Sequence, residues 1–179
     1  MRFVIAAATL VALCATPALA ALKNGDKAPD FVADGFQAGK ALKFSLADAR
    51  KKGPVVLYFF PAADTAGCNL EAKMFADSMP QFAANGATVI GVTAGKLDKL
   101  QQISADTDKC SGKFPVAADP GAKIAKQYDS VLAAKPDWSD RTSYVIAPNG
   151  TVLHAYSKMD PTEHVSQTLA AVKAFKTKK

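Results

Sequence analysis

Pro54-Val-Val-Leu-Tyr-Phe-Phe-Pro61-Ala-Ala-Asp-Thr65-Ala-Gly-Cys68 joins two patterns in one short stretch. Residues 54–60 are continuously apolar and rich in β-branched and aromatic side chains, the mark of a central strand covered on both faces. Pro61 ends that strand. From Ala66 the pattern turns helical: Phe75, Met79 and Phe82 recur at spacings of four and three and form one apolar stripe to Ala84. Pro80 is expected to kink this helix, because it brings no amide and crowds the preceding turn. A buried strand running straight into a helix, with a second apolar run at Ala87–Thr93, reads as a βαβ unit.

The same reading extends in both directions. Upstream, Asn24-Gly25, Asp34-Gly35 and Gly39 punctuate short apolar pieces and predict an N-terminal hairpin, followed by a turn of helix near Leu46–Lys51. Downstream, the spacing predicts a helix from Lys96 to about Asp108, a short strand starting at Phe114-Pro115-Val116 and a short helix over Ala122–Tyr128. Thr142–Ala147 and Thr151–Tyr156 flank Asn149-Gly150, a strong hairpin signal, and a final helix is expected from Pro161 to Phe175. The predicted fold is α/β: a mixed central sheet with helices on both faces and an added N-terminal β-hairpin, all in one domain over residues 21–179.

The first twenty residues are of another kind. Arg2, the apolar run Phe3 to Leu13 and the small-residue end Ala18-Leu19-Ala20 have the layout of a cleavable secretory signal, cut after Ala20. The run is far short of the roughly 20 residues of a membrane span. A lipoprotein would use Cys14, but Leu13 before it is larger than such sites favour. The expectation is an exported protein, in a bacterial periplasm, with no stable membrane association. At 49% hydrophobic and 21% charged residues the chain suits a globular domain. Its net charge of +6 loses one unit with Arg2. The terminal Lys173, Lys176, Lys178 and Lys179 carry no interleaved aromatics, so they read as a solvated helix end and not as a nucleic-acid surface.

Cleavage after Ala20 leaves two cysteines, Cys68 and Cys110. In an oxidising compartment a structural disulfide is the ordinary reading of such a pair. Cys68, however, stands in the first turn of a helix, where the dipole and free amides favour the thiolate, the reactive form of sulfur. Thr65 can cap that helix or turn its hydroxyl to the sulfur; Pro61 can wall the sulfur from water or merely end the strand. Arg141 opens a strand and Glu71 lies one helical turn after Cys68; either could be an ordinary surface or first-turn charge. His154 and His164 have no partners at metal-ligand spacing and read as structural. No metal and no cofactor are expected.

Pro61-x-x-x-Thr65-x-x-Cys68 resembles the active-site signature of peroxiredoxins. The wider Tyr58-Phe-Phe-Pro-Ala-Ala-Asp-Thr-Ala-Gly-Cys-Asn-Leu-Glu-Ala72 is similar to their bacterioferritin-comigratory, or Q, subfamily. Gly25-Asp-Lys-Ala-Pro-Asp-Phe31, Phe114–Tyr128 and Arg141–Gly150 resemble its opening, its middle and its arginine-bearing strand pair. The resemblance implies a thioredoxin-like fold and a peroxidase that reduces hydrogen peroxide and organic hydroperoxides. In it Cys68 attacks the peroxide, Thr65 holds thiolate and substrate, Pro61 shields them, Arg141 stabilises developing charge and Glu71 orients Arg141. It also implies a thioredoxin-like or other thiol reductant and a monomer or homodimer.

Two positions depart from that pattern. Asn69 stands where a threonine is common, and Lys73 stands where many relatives carry a resolving cysteine. Other members place that cysteine on the helix after the second strand, which implies the role for Cys110 once local unwinding brings the sulfurs together. A structural disulfide or a spectator thiol are the alternatives for Cys110. Two other functions on this fold are weaker. A thiol–disulfide oxidoreductase needs Cys-x-x-Cys, and Cys68 is followed by Asn69-Leu70-Glu71. A non-enzymatic copper-binding protein needs a second cysteine on the same helix turn.

Overall fold

A computed structural model describes residues 21–177. The leader expected at residues 1–20 lies outside them. The five residues of β3 (Val55–Phe59) are all buried, because each face of the strand has its own cover. Val56 and Tyr58 point into one core with Phe75, Phe82, Leu100, Ile103 and Val172. Val55, Leu57 and Phe59 point into another with Leu46, Ile124, Tyr128 and Tyr144. The continuous apolar pattern is thus two alternating sets, one for each layer of helices.

β3 is an interior strand of a seven-stranded sheet ordered β2-β1-β5-β4-β3-β8-β9. The outer strands on one side are β1 (Val32–Gln37) and β2 (Lys40–Ser45), then β5 (Val116–Ala118) and β4 (Thr88–Thr93). On the other side stand β8 (Thr142–Ile146) and β9 (Val152–Ser157). β3 runs parallel to β4, and β4 to β5, while β8, β9, β1 and β2 pair antiparallel. Helices α2 (Ala66–Ala84), α3 (Leu100–Ala105) and α5 (His164–Thr177) cover one face. The other face carries α1 (Leu46–Arg50) and α4 (Lys123–Gln127). This is the mixed α/β, thioredoxin-like architecture expected from the sequence.

α2 runs through Pro80 as one helix. Proline there leaves the Ala76 carbonyl without its helical donor, and the Lys113 ammonium supplies one at 3.0 Å. The apolar stripe holds α2 to the sheet: Phe75 stacks on Tyr58 with ring centroids 4.4 Å apart, and Phe75 and Phe82 are fully buried. Removing either ring costs about 3–5 kcal/mol by the usual measure of core truncation.

Several local expectations are corrected. Asp34-Gly35 is not a turn but part of β1, and Gly35 is needed there for close approach: a Cβ on it would lie 2.3 Å from the Val116 carbonyl oxygen. The hairpin turns at Ala38-Gly39, both with positive φ. The predicted helix from Lys96 to Asp108 is a 3₁₀ turn (Leu97–Lys99) followed by α3, which stops at Ala105, so Cys110 lies in the turn beyond the helix. Asn149-Gly150 is not a two-residue loop. The Gly150 amide bonds the Ala147 carbonyl at 2.9 Å around Pro148-Asn149, and Gly150 follows at φ 83° with a bulge in the strand pair. A small hairpin, β6 (Val131–Leu132) with β7 (Lys135–Ser139), has no counterpart in the sequence reading. Pro136 within β7 argues against a strand on local grounds.

Candidate active site

The site is built where β3 hands the chain to α2. Thr65 is the N-cap residue of α2, so Cys68 falls in the first turn, among backbone amides that have no helical acceptor. The Cys68 thiol is 5% exposed. Thr65 neither caps the helix nor turns to the sulfur: its hydroxyl donates to the Ala62 carbonyl at 3.2 Å. Pro61 follows directly on β3 and its loop, and its carbonyl oxygen packs against Gly95, where an added Cβ would lie 2.3 Å away. Trp138 of β7 packs on the same Gly95, its ring 3.0 Å from that Cβ position. The missed hairpin thus buttresses the loop that carries Pro61.

Arg141 reaches the sulfur from another element. β3 and β8 pair with Phe59 opposite Thr142, so Arg141, one residue ahead of β8, stands at the end of the sheet from which α2 departs. Its Nη2 donates to the Cys68 Sγ at 3.4 Å. The guanidinium lies close over the first turn, where a Cβ on Gly67 would come within 3.3 Å of Nη2. Its Nη1 pairs with Glu71 Oε2, and its Nε donates to the Met159 carbonyl at 2.9 Å. Three donors aimed at three acceptors leave the planar group one orientation. Glu71 is wholly buried, and burial pushes its carboxyl up to about 8 against the pull of Arg141. The structure therefore brings Pro61, Thr65, Cys68, Glu71 and Arg141 to one end of the sheet.

Glu71 has a second neighbour that the sequence did not reveal. His164, the first residue of α5, lies with Nδ1 3.6 Å from Glu71 Oε1 and 2.8 Å from the Ser143 hydroxyl. Nothing in the spacing of His164 marks it, since ninety-three positions of chain separate it from Glu71.

Cys110 is fully buried, and burial pushes its thiol up to about 12. Both cysteines are free thiols. They line one small cavity of about 10 Å³, together with Tyr58, Phe60 and Ile103. Tyr58 is buried there and its hydroxyl has no hydrogen-bond partner. The turn carrying Cys110 is tied to the loop before Cys68 by Lys109, which pairs with Asp64 at 3.0 Å and with Asp106 at 3.1 Å. Asn69 is half-buried on the cavity wall, and its side chain, after Lys109, helps hold the Asp64 carboxyl below its ordinary value.

A positive group fixed beside a helix N-terminal sulfur can stabilise both a thiolate and the negative oxygen expelled from a peroxide. Comparison with known proteins gives the family. The family model described as the AhpC/TSA family matches residues 24–155. Among curated proteins, chloroplastic peroxiredoxin Q of Arabidopsis thaliana is 35% identical over 159 residues, covering 87% of this chain and 69% of its own length. Chloroplastic peroxiredoxin Q of Oryza sativa subsp. japonica is 30% identical over 155 residues, covering 86% and 68%. Among solved structures, peroxidoxin BcpB of Mycobacterium tuberculosis superposes with a TM-score of 0.74 at 29% identity, over 86% of this chain and 97% of its own. Mycobacterium bovis AhpC, at 17% identity and a TM-score of 0.76, shares the fold. The chain belongs to the AhpC/TSA family and, within it, to the peroxiredoxins of the Q type, which are thiol-dependent peroxidases.

Proposed function

We propose that this peroxidase works through Cys68 as its nucleophile, with Arg141 as the group that stabilises charge and Glu71 as its anchor. The observation that carries the reading is the 3.4 Å contact of Arg141 Nη2 with the Cys68 sulfur at the start of α2. The Cys68 thiolate attacks the nearer peroxide oxygen and the O–O bond breaks. The sulfur is oxidised to a sulfenate, and the departing oxygen takes a proton and leaves as water or an alcohol. Arg141 faces the charge moving from sulfur to oxygen. Thr65, whose hydroxyl rests on the Ala62 carbonyl, has to leave that acceptor to hold thiolate or peroxide. Pro61 limits water at the site.

Cys110 is the resolving thiol in this scheme. Its sulfur attacks the Cys68 sulfenic acid, a disulfide forms and water leaves. A thiol at about 12 that is fully buried is a poor nucleophile in place, so the turn 106–113 opens before the bond forms. A thioredoxin-like reductant then returns both thiols by dithiol exchange. Hydrogen peroxide and organic hydroperoxides are the proposed substrates, and a periplasmic location follows from the leader-like residues 1–20 alone. The test is peroxide consumption by the purified protein with dithiothreitol as reductant. Cys68→Ser is expected to abolish turnover with an unchanged circular dichroism spectrum. Turnover surviving in that variant would move the nucleophile elsewhere.

A further inference from the structure

Tyr58 carries a hydroxyl that the reduced protein leaves without a partner. It stands on β3 and lines one small cavity with Cys68 of α2 and Cys110 of the turn beyond α3. Its ring stacks on Phe75 at 4.4 Å and on Phe60 at 5.5 Å, and meets Phe114 edge-on at 6.0 Å. A phenylalanine would make the same three contacts. The hydroxyl adds nothing to them, is buried and bonds no acceptor, and a donor left unmatched in a core destabilises the fold. Room is nevertheless kept for it. Gly91 of β4 stands opposite Tyr58, and a Cβ on Gly91 would lie 2.6 Å from the ring and 2.7 Å from the hydroxyl oxygen. A donor kept at that cost points to an acceptor that arrives in another state of the reaction.

The cavity wall narrows the choice of acceptor. Phe60, Ala63, Ala72, Ile103 and Val116 offer apolar side chains, and Asp64 is paired with Lys109. Two sulfurs remain. Cys68 already receives Arg141 Nη2 at 3.4 Å, whereas burial, and after it Asp106, holds the proton on Cys110, with no hydrogen bond acting on its sulfur. We propose that Tyr58 serves the resolving step: its hydroxyl donates to the Cys110 sulfur as that sulfur crosses the cavity toward the Cys68 sulfenic acid and takes on thiolate charge. The Cys110 sulfur gives up its proton and its electron pair forms the S–S bond. The S–O bond of Cys68 breaks, and the oxygen takes a proton and leaves as water, so one sulfur is oxidised as the other is reduced. Tyr58 keeps its own proton throughout, since burial and then Cys110 hold its hydroxyl well above the ordinary 10. Its part is to place a donor where charge gathers on sulfur, and a charged acceptor makes such a bond about twice as strong as a neutral one. Because Tyr58 belongs to an interior strand of the sheet, its hydroxyl keeps its place while the turn 106–113 opens.

This inference rests on the reading of Cys68 as nucleophile and Cys110 as resolving thiol, and Tyr58→Phe tests it apart from them. The variant keeps the ring and its contacts and removes a group that has no partner, so its urea midpoint is expected to equal that of the wild type or to rise. Two rates are read after one equivalent of hydrogen peroxide. Loss of peroxide is followed by stopped flow, and growth of the Cys68–Cys110 disulfide by quenched-flow alkylation and mass spectrometry. Peroxide loss is expected to be unchanged. Disulfide formation is expected to slow about tenfold or more, the scale of one hydrogen bond to a charged group, and with excess peroxide the sulfinic form of Cys68 is expected to accumulate. A disulfide formed at the wild-type rate, both rates slowed by one factor, or a lowered urea midpoint would each overturn the proposal and leave the two cysteine roles standing. A wild-type protein that forms no Cys68–Cys110 disulfide would overturn the role of Cys110 together with that of Tyr58.

Discussion

Arg141 spends three donors on three acceptors, the Cys68 sulfur and Glu71 on α2 and the Met159 carbonyl in the loop before α5. Replacing it with alanine removes the positive charge at the sulfur and leaves Glu71 buried without its partner. Arg141→Ala is therefore expected to slow peroxide reduction by about 100-fold or more, the scale for losing a charge-stabilising donor. Stopped-flow kinetics at saturating reductant checks it, and a rate within threefold of wild type would make Arg141 a structural ion pair only. At this scale the sequence was legible for Cys68, Arg141 and Glu71, because motif and neighbouring strand pattern travel together. Thr65 was legible as an N-cap residue, yet the direction of its hydroxyl was not: it donates to the Ala62 carbonyl, an acceptor that the spacing does not single out.

The turn from Asp106 to Lys113 is the element that has to move if Cys110 is to meet Cys68. It is held by contacts of unequal kind. Inside lie Cys110 and the neighbouring Phe114, both buried. Outside lie the Lys109 pairs with Asp64 and Asp106 and the bond from the Gln37 amide to the Gly112 carbonyl at 3.2 Å. Lys109→Ala cuts the tie to the nucleophile's loop, and partly exposed ion pairs of this sort are worth about 0.2–1 kcal/mol. Disulfide formation after one equivalent of peroxide is expected to speed up about two- to fivefold, followed by quenched-flow alkylation and mass spectrometry. A slower reaction would show that the pair orders the productive turn and does not restrain it. The sequence placed Cys110 at a helix end from a polar run and a glycine. The helix in fact stops at Ala105, where the chain turns extended at Asp106, and Lys109 then pairs forward across the fold, which no local pattern encodes.

For the whole molecule, burying Glu71 couples folding to pH. Its carboxyl is raised from the ordinary 4.5 to about 8 in the folded protein, so the native state keeps a proton that the unfolded chain has released. Stability from this group is fully present below the unfolded value and is lost as pH rises through about 8. Urea midpoints are expected to fall between pH 6.5 and 8.5, above the range of the surface carboxylates. Glu71→Gln, which cannot ionise, is expected to flatten that slope. A slope equal in the two proteins would mean that Glu71 is already ionised throughout the window.

The sequence by itself determined the layers of this protein and the place of Cys68 in the first turn of a helix. A run buried on both faces reads as a central strand, a stripe at spacings of four and three reads as a covering helix, and a cysteine three residues past the N-cap position falls in the first turn. Each follows from short-range backbone geometry. Only the tertiary structure decided what stands behind Cys68. The pairing of Phe59 with Thr142 carries Arg141 to the end of β3, and the packing of α5 on the sheet carries His164 to Glu71. Such meetings depend on strand register and helix placement, which sum over the whole core and leave no mark in the spacing of the residues that meet.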